Sequence, residues 1–521
     1  MEIDNDKNLR YFNTLRGNSE QLSKDKLLHF LSLNGIVKTD PRIQDTIDKL
    51  ENLDIEHPLM DFDTFVECME PSIVLLDKVF GNKLIIPDFK DFTTNIKNIY
   101  EKIKLIKDGN VADYIPQLAR VDPNKLGISI TTIDGQQYSI GDIKEYFCVQ
   151  SCCKPINYAM ALEEHGMDKV HHYVGREPSG RSFNELALNK YGKPHNPLIN
   201  SGAIMTCSLI KNNVDRSVRF DYVLEKWKHL SGNSAKVGFS NPTYLSEKNT
   251  ADRNYALAYF MRETNNNKPV GFPENTEIND ILEFYFQCCS IELNCYSLSI
   301  VASTFANGGI CPVTNEKVLE PETVRNCLSL MYSCGMYDYS GEFAFTIGLP
   351  AKSGVAGAIM IVIPGIMGVC VWSPNLDSHG NSVRGVEFCK QLCEIFNFHQ
   401  YDNVIPHHNK IDPRAINHYS EMDSFTIACY AAAKGDLHTI TSLYMSGEDL
   451  TQSDYDGRTP LHLACSEGKI EIVKYLVEIV KCQIDIKDRW NNTPIDDCIR
   501  ENHIDIKEYL EKFKQFNNCE L

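Results

Sequence analysis

The chain has 521 residues, enough for about three domains at roughly 150 residues each. With 43% hydrophobic, 10% aromatic and 23% charged residues it has the composition of a folded chain, not of a disordered or collagen-like one. Its 52 Lys and Arg against 70 Asp and Glu give a net charge of −18, which speaks against nucleic-acid or lipid-surface partners because acidic surfaces repel phosphate.

Residues 1–105 carry helical periodicity. Leu27, Leu28, Phe30 and Leu31 form one apolar face and Ile73, Leu75, Leu76 and Val79 another, so a small helical, EF-hand-like domain is expected here. Its acidic cluster, Asp61-Phe62-Asp63, lacks the central Gly and alternating ligands of a calcium loop, so no metal is assigned. The opening MEIDNDKNLR is acidic and has neither secretory nor mitochondrial-transit character, which makes cytoplasmic the default; a presequence outside the chain would make it mitochondrial.

From 106 to 400, helical runs alternate with short strands such as Leu126 to Thr132, as in one mixed α/β domain. The apolar run from Gly357 to Trp372 is split by Pro364-Gly365 and reads as two buried strands around a turn, not as a membrane span. The 19 cysteines sit in apolar stretches without Cys-x-x-Cys spacing and read as reduced, buried thiols. Adjacent histidines, His171-His172 and His407-His408, point apart on helix or strand and are expected at the surface without metal. There is no glycine-rich phosphate loop, so no nucleotide cofactor is expected.

Residues 401–420, with Asn403, Pro406 and Pro413, read as a linker. In 421–521, Asp454-Tyr-Asp-Gly-Arg-Thr459-Pro-Leu-His-Leu-Ala recurs in degraded form as Asp488-Arg-Trp-Asn-Asn-Thr493-Pro-Ile, 34 residues on. This is the ankyrin signature, in about two and a half repeats. So short an array is expected to pack on the rest of the chain or on a subunit, and to offer a surface to a protein partner.

Chemistry enters with Ser151-Cys152-Cys153-Lys154. On a helix, residues i and i+3 share a face, so the lysine can reach the serine hydroxyl. The tetrad alone is weak, since Ser23 to Lys26 has the same spacing in a polar helix. Lys352-Ser353-Gly354 stands before a buried strand, as the corresponding element does in serine β-lactamases and penicillin-binding proteins, where the small Gly lets substrate lie along the strand.

Longer motifs surround these two. Phe147-Cys-Val-Gln-Ser151-Cys-Cys-Lys154-Pro, Tyr173-Val-Gly-Arg-Glu-Pro-Ser-Gly180, Pro194-His-Asn-Pro-Leu-Ile-Asn200-Ser-Gly-Ala203, Ser246-Glu247, Asp252-Arg253-Asn254, Ser333-Cys-Gly-Met-Tyr337-Asp and Gly348-Leu-Pro-Ala-Lys-Ser-Gly-Val355-Ala-Gly357 closely resemble the glutaminase family. The helical start and ankyrin tail resemble its animal kidney- and liver-type members. The resemblance implies an α+β multidomain chain whose central domain is serine β-lactamase/penicillin-binding-protein-like. It implies an amidohydrolase of L-glutamine that needs no cofactor and takes inorganic phosphate as activator, working as a homo-oligomer, dimer or tetramer.

Carried over residue by residue, Ser151 would be the nucleophile on the side-chain amide. Lys154 and Tyr337 would share the acid–base work, and the amides of Ser151 and Val355 would form the oxyanion hole. Glu247 would take the α-ammonium group; Asn200, Asn254 and Tyr285 would take the carboxylate and polar groups; Tyr114 would take the side-chain end. The segment Phe183, Glu185, Leu186, Ala187 and Leu188 corresponds to a gating loop at the tetramer contact. Kidney-type enzymes have Lys at the position of Glu185 and Phe at that of Ala187; losing a fully buried aromatic costs about 3–5 kcal/mol, so a weaker tetramer is expected, with phosphate activation, filament growth and inhibition through this loop affected. Two other readings compete: a catalytically silent ankyrin scaffold, which would be expected to lack Ser151, Lys154 or Tyr337, and another acyl-serine hydrolase of the same fold, to which Glu247 and the ankyrin tail are foreign.

Overall fold

A computed structural model describes residues 5–17, 19–53, 59–180, 185–233, 237–263, 271–274, 276–404, 410–415 and 424–517. They form two compact units, one of residues 1–88 with 414–521 and one of 89–413.

The first unit opens with α1 (Asn5–Arg16), α2 (Lys24–Leu33), α3 (Gln44–Glu51), α4 (Phe62–Met69) and α5 (Ile73–Phe80), joined by the short pair β1 (Leu22–Ser23) and β2 (Leu59–Met60). The periodic leucines do what their spacing predicts: Leu27, Leu31, Leu76 and Val79 are buried, around a stack of Tyr11, Phe30 and Phe80. Asp61 caps α4, its carboxylate accepting the Thr64 amide N–H at 2.9 Å.

The second unit begins earlier than the expected boundary at 105. In α6 (Phe89–Ile103), Phe92, Ile96, Ile99 and Ile103 are buried, and Phe92 packs 5.1 Å from Phe396. An amphipathic helix announces its apolar face but not which core covers it. The stretch expected as a linker also joins this unit in part: Ile411 bridges Phe396, and Lys410 pairs with Asp402 at 2.8 Å. His407 and His408 lie outside the described residues.

Among the described residues, five strands form an antiparallel sheet in the order β4 (Gln137–Gly141), β3 (Gly127–Thr132), β10 (Met367–Trp372), β9 (Ala358–Ile363), β8 (Ala351–Ser353). β9 and β10 are the hairpin read around Pro364-Gly365, pairing Met367 with Ile363 through to Trp372 with Ala358. Both are buried on both faces, which explains their unbroken apolar run. A second, three-stranded sheet runs β5 (Phe147–Cys148), β7 (Ile291–Leu293), β6 (Gly238–Phe239). Helices α7 (Pro116–Ala119), α8 (Cys153–Tyr173), α9 (Asn200–Cys207), α10 (Arg216–Leu230), α11 (Asn241–Asn249), α12 (Asp252–Glu263), α13 (Ile278–Cys289), α14 (Cys295–Ala306), α15 (Pro321–Cys334), α16 (Ser340–Thr346) and α17 (Val383–Ile395) complete the unit. One apolar core runs through both sheets and most of these helices.

The tail forms three helix pairs, one half-pair more than the sequence suggests: α18 (Ser424–Lys434) with α19 (Leu437–Ser446), α20 (Pro460–Ser466) with α21 (Ile470–Glu478), and α22 (Pro494–Arg500) with α23 (Ile504–Asn517). Thr459 and Thr493 each cap their helix reciprocally with the third residue on, His462 and Asp496, which is why the Thr-Pro turn repeats. The sequence before the first pair has no Thr-Pro. The array packs on the N-terminal helices of its own unit. Arg10 lies over the Tyr444 ring, Thr14 and Tyr475 hydroxyls meet at 3.2 Å, and Met445, 2% exposed, belongs to the N-terminal core. Met445→Ala should therefore cost about 2–5 kcal/mol and speed amide exchange in α2, α4 and α5 as well as in α19; exchange confined to α19 would refute this shared core.

Candidate active site

The three-stranded sheet assembles the site. β5 runs into a short 3-10 turn, Gln150–Cys152, that carries Ser151 and opens α8; β6 leads into α11, which carries Glu247; β7 follows α13, which carries Tyr285. Pairing of Phe147 with Leu293 and of Gly238 with Glu292 sets their register, and hydrogen bonds from the Val149 amide to Ile291 and from the Ser240 amide to Ser290 extend it. Gln150, immediately before Ser151, has φ +47°, a left-handed conformation that a non-glycine residue adopts at a cost of about 1–3 kcal/mol.

A polar network fills the space these elements enclose. The Lys154 ammonium donates to Asn200 Oδ1 at 2.6 Å, Tyr285 donates to the same oxygen at 3.4 Å, and Asn200 Nδ2 donates to Asn254 Oδ1 at 3.1 Å. Glu247 accepts from the Tyr114 hydroxyl at 2.7 Å and from Gln150 Nε2 at 3.0 Å. Tyr114, expected at the side-chain end of the substrate, is thus tied through its hydroxyl to Glu247. Burial pushes the Glu247 carboxyl up, and these two donors pull it back; burial also drives the Lys154 ammonium down and the Tyr285 and Tyr114 phenols well up.

Tyr337 opens a 3-10 turn after α15 with φ +53°. Burial raises its phenol, and the Ser151 hydroxyl beside it lowers it in part. Two glycines permit the approach. A Cβ on Gly335 would lie 1.8 Å from the Ala351 carbonyl oxygen, and one on Gly354 would lie 2.9 Å from that of Val149. The second contact brings the Val355 turn onto the turn of Ser151. Lys352, fully buried, donates to the carbonyls of Gly335 at 3.0 Å and Ser353 at 2.8 Å, with its ammonium 4.4 Å from the centre of the Tyr337 ring. One cavity of about 520 Å³ has Tyr337 in its wall, and another of about 720 Å³ has Val355.

Residues 109–401 match the glutaminase family, 428–518 match ankyrin repeats (3 copies), and 10–87 match an EF-hand domain. The liver-isoform mitochondrial glutaminase of Rattus norvegicus is 44% identical over 505 residues, spanning 96% of this chain and 83% of its own length; a glutaminase of Nostoc sp. is 42% identical over 308 residues, spanning 59% and 89%. The chain belongs to the glutaminase family. Among solved structures, a probable glutaminase, ybaS, superposes with a TM-score of 0.54 at 35% identity over 58% of this chain and 96% of its own, and Mglu in its glutamate form with 0.54 at 36% over 58% and 68%.

As a glutaminase the chain hydrolyses the side-chain amide of L-glutamine to L-glutamate and ammonia, on a β-lactamase-like mixed α/β fold. Of the expected site residues, Lys154, Asn200, Asn254 and Tyr285 are joined by hydrogen bonds, Glu247 is joined to Tyr114, and Ser151 lies beside Tyr337. Of the gating loop, Phe183 lies outside the described residues, Glu185 and Leu186 are exposed, and Ala187 and Leu188 are half-buried. His171 is not at the surface as expected: it is half-buried, donating Nδ1–H to the Val174 carbonyl and accepting from Tyr158, while its neighbour His172 is exposed. Among the described residues no cluster of His, Cys, Asp and Glu is placed to hold a metal ion, and no helix is long and apolar enough to cross a membrane.

Two residues of this glutaminase site went unassigned in the sequence. Gln150 stands in the motif around Ser151, but only the fold turns its amide to Glu247; Lys352 stands in the Lys-Ser-Gly motif, which by itself assigns the lysine no role. Burial, and then the nearby charge of Lys154, push Lys352 down to about 7, against about 10.4 in an unfolded chain. Between those values the unfolded chain binds more protons, so stability rises with pH from about 7 upward. Lys352→Met should flatten the rise in the thermal midpoint between pH 7 and pH 9; an equal rise in wild type and variant would show that this lysine does not titrate there.

Proposed function

We propose that this glutaminase works through a covalent serine intermediate. The Ser151 oxygen attacks the glutamine side-chain carbonyl while its proton passes to neutral Lys154. The tetrahedral oxyanion collapses, the C–N bond breaks, and the nitrogen leaves as ammonia with the proton of Tyr337. The resulting γ-glutamyl ester is attacked by water, which gives a proton to the Tyr337 phenolate, and Ser151 leaves with the proton held by Lys154. The amides of Ser151 and Val355 serve as oxyanion hole, where losing one donor typically costs about 3–4 kcal/mol.

The observation that supports this reading is the placement of Ser151 one helical turn before Lys154, a buried amine that donates to Asn200 Oδ1, with the Tyr337 phenol beside Ser151. Burial without a carboxylate partner is what makes such an amine a competent base near neutral pH. Glu247 supplies the anion for the α-ammonium group of a free amino acid, and Asn200, Asn254 and Tyr285 supply dipoles for its carboxylate. Ser151→Ala should abolish ammonia release from glutamine and leave the circular dichroism spectrum unchanged; normal turnover would overturn the serine mechanism. Asparagine, one methylene shorter, should be a poor substrate, because its amide falls short of Ser151 while Glu247 holds the ammonium; comparable kcat/KM for the two would show that the anchor is misplaced.

The enzyme is further proposed to be a homo-oligomer whose tetramer is weak, with a blunted response to inorganic phosphate. Glu185 and Ala187 support this, one placing negative charge and the other little apolar surface in the loop that resembles the tetramer contact. Sedimentation velocity should show phosphate-dependent association only at high protein concentration, and a phosphate-independent tetramer at nanomolar protein would refute it. Likeness to liver isoforms named as mitochondrial favours the mitochondrion over the cytosol as its compartment.

A further inference from the structure

Lys352 is the second buried lysine of the site and takes no part in the mechanism above. Among the described residues it pairs with no carboxylate. A cation buried without a counter-ion is a cost to folding that an apolar side chain of the same length avoids.

What the ammonium touches is informative. Gly335 belongs to the turn that carries Tyr337, and Ser353 to the strand that leads through Gly354 to Val355. One group therefore clamps the turn of the acid–base tyrosine to the strand of the oxyanion hole, and it does so beneath a residue held at φ +53°. Its remaining contact is the face of the Tyr337 ring, at 4.4 Å. A cation there attracts a phenol through the ring quadrupole and attracts a phenolate more strongly. The other groups facing Lys352 are Lys154 on α8, Cys152 and Cys153 at its start, and Cys334 at the end of α15. Burial raises all three thiols, Cys152 to about 11, so they supply no anion at neutral pH.

We propose that Lys352 is a positioning residue for glutamine hydrolysis, holding the Tyr337 hydroxyl at Ser151 and favouring the phenolate formed when Tyr337 gives its proton to the departing nitrogen. It touches neither substrate nor the reacting atoms. The proposal rests on the reading that Tyr337 performs acid–base work.

A double-mutant cycle on the full chain tests it, with kcat and KM for glutamine measured for wild type, Tyr337→Phe, Lys352→Met and the double variant. Each single substitution should lower kcat by about 100-fold or more, the range of acid–base contributions, with KM within about threefold of wild type. Lys352→Met should then cost almost nothing in the Tyr337→Phe background, because the hydroxyl through which it acts is gone. A general loosening of the structure would instead multiply the two losses, and that result overturns the proposal, as does a Lys352→Met kcat within about threefold of wild type. If Tyr337→Phe itself keeps wild-type kcat, the acid–base reading fails, a result separable from failure of the lysine alone. Lys352→Gln, which keeps a donor for Gly335 without the charge, runs the same cycle should Lys352→Met misfold. Misfolding of both would make the side chain a structural prop and overturn its catalytic positioning.

Discussion

Two lysine ammonium groups buried in one site, neither paired with a carboxylate among the described residues, are the constraint around which the catalytic unit is arranged. Each would be ruinous in an apolar core, and each is held by neutral oxygens: Asn200 for Lys154, the carbonyls of Gly335 and Ser353 for Lys352. A carboxylate partner for Lys154 would have been the cheaper solution for folding and the worse one for catalysis, since it would fix that lysine as a cation and remove it as a base. The carboxylate that the site does contain, Glu247, is bonded to Tyr114 and Gln150, which keeps its charge for the substrate's ammonium group.

Strain follows from the same demand. Gln150 and Tyr337 both sit in left-handed conformations, one residue before Ser151 and at the tyrosine that faces it. The surrounding structure over-determines these conformations: the three-stranded sheet fixes the first, and the close approach of Gly335 to β8 fixes the second. The fully buried hairpin of β9 and β10 and the helices on it provide the rigid core against which such strain can be held.

The other unit solves a different problem. The three ankyrin helix pairs have a core of their own, running from Ala428 to Leu510, and the N-terminal helices extend it, with Met445 in their core, Arg10 over the Tyr444 ring and Thr14 bonded to Tyr475. An EF-hand-like domain whose acidic residue caps a helix, and an ankyrin array with one face already taken, are in this chain first of all each other's stabilising surface.

Much of this was legible in the sequence. Local signals carried it: the apolar run of 357–372 and the Pro364-Gly365 turn that splits it pointed to the hairpin, the Thr-Pro caps to the ankyrin pairs, and collinear motifs to the residues of the site. What the tertiary structure alone decided were the partnerships of groups far apart in the chain. α6 is amphipathic wherever it packs, so only the fold assigned it to the catalytic unit. Tyr114 and Gln150 converge on Glu247 from sequence distances of 133 and 97 residues, and Lys352 meets the Tyr337 ring only because β8 passes under that turn. Periodicity and capping are properties of neighbouring residues and can be read along a chain. Burial of a charge, and the group that answers it, are properties of a space that exists only once distant segments have closed around it.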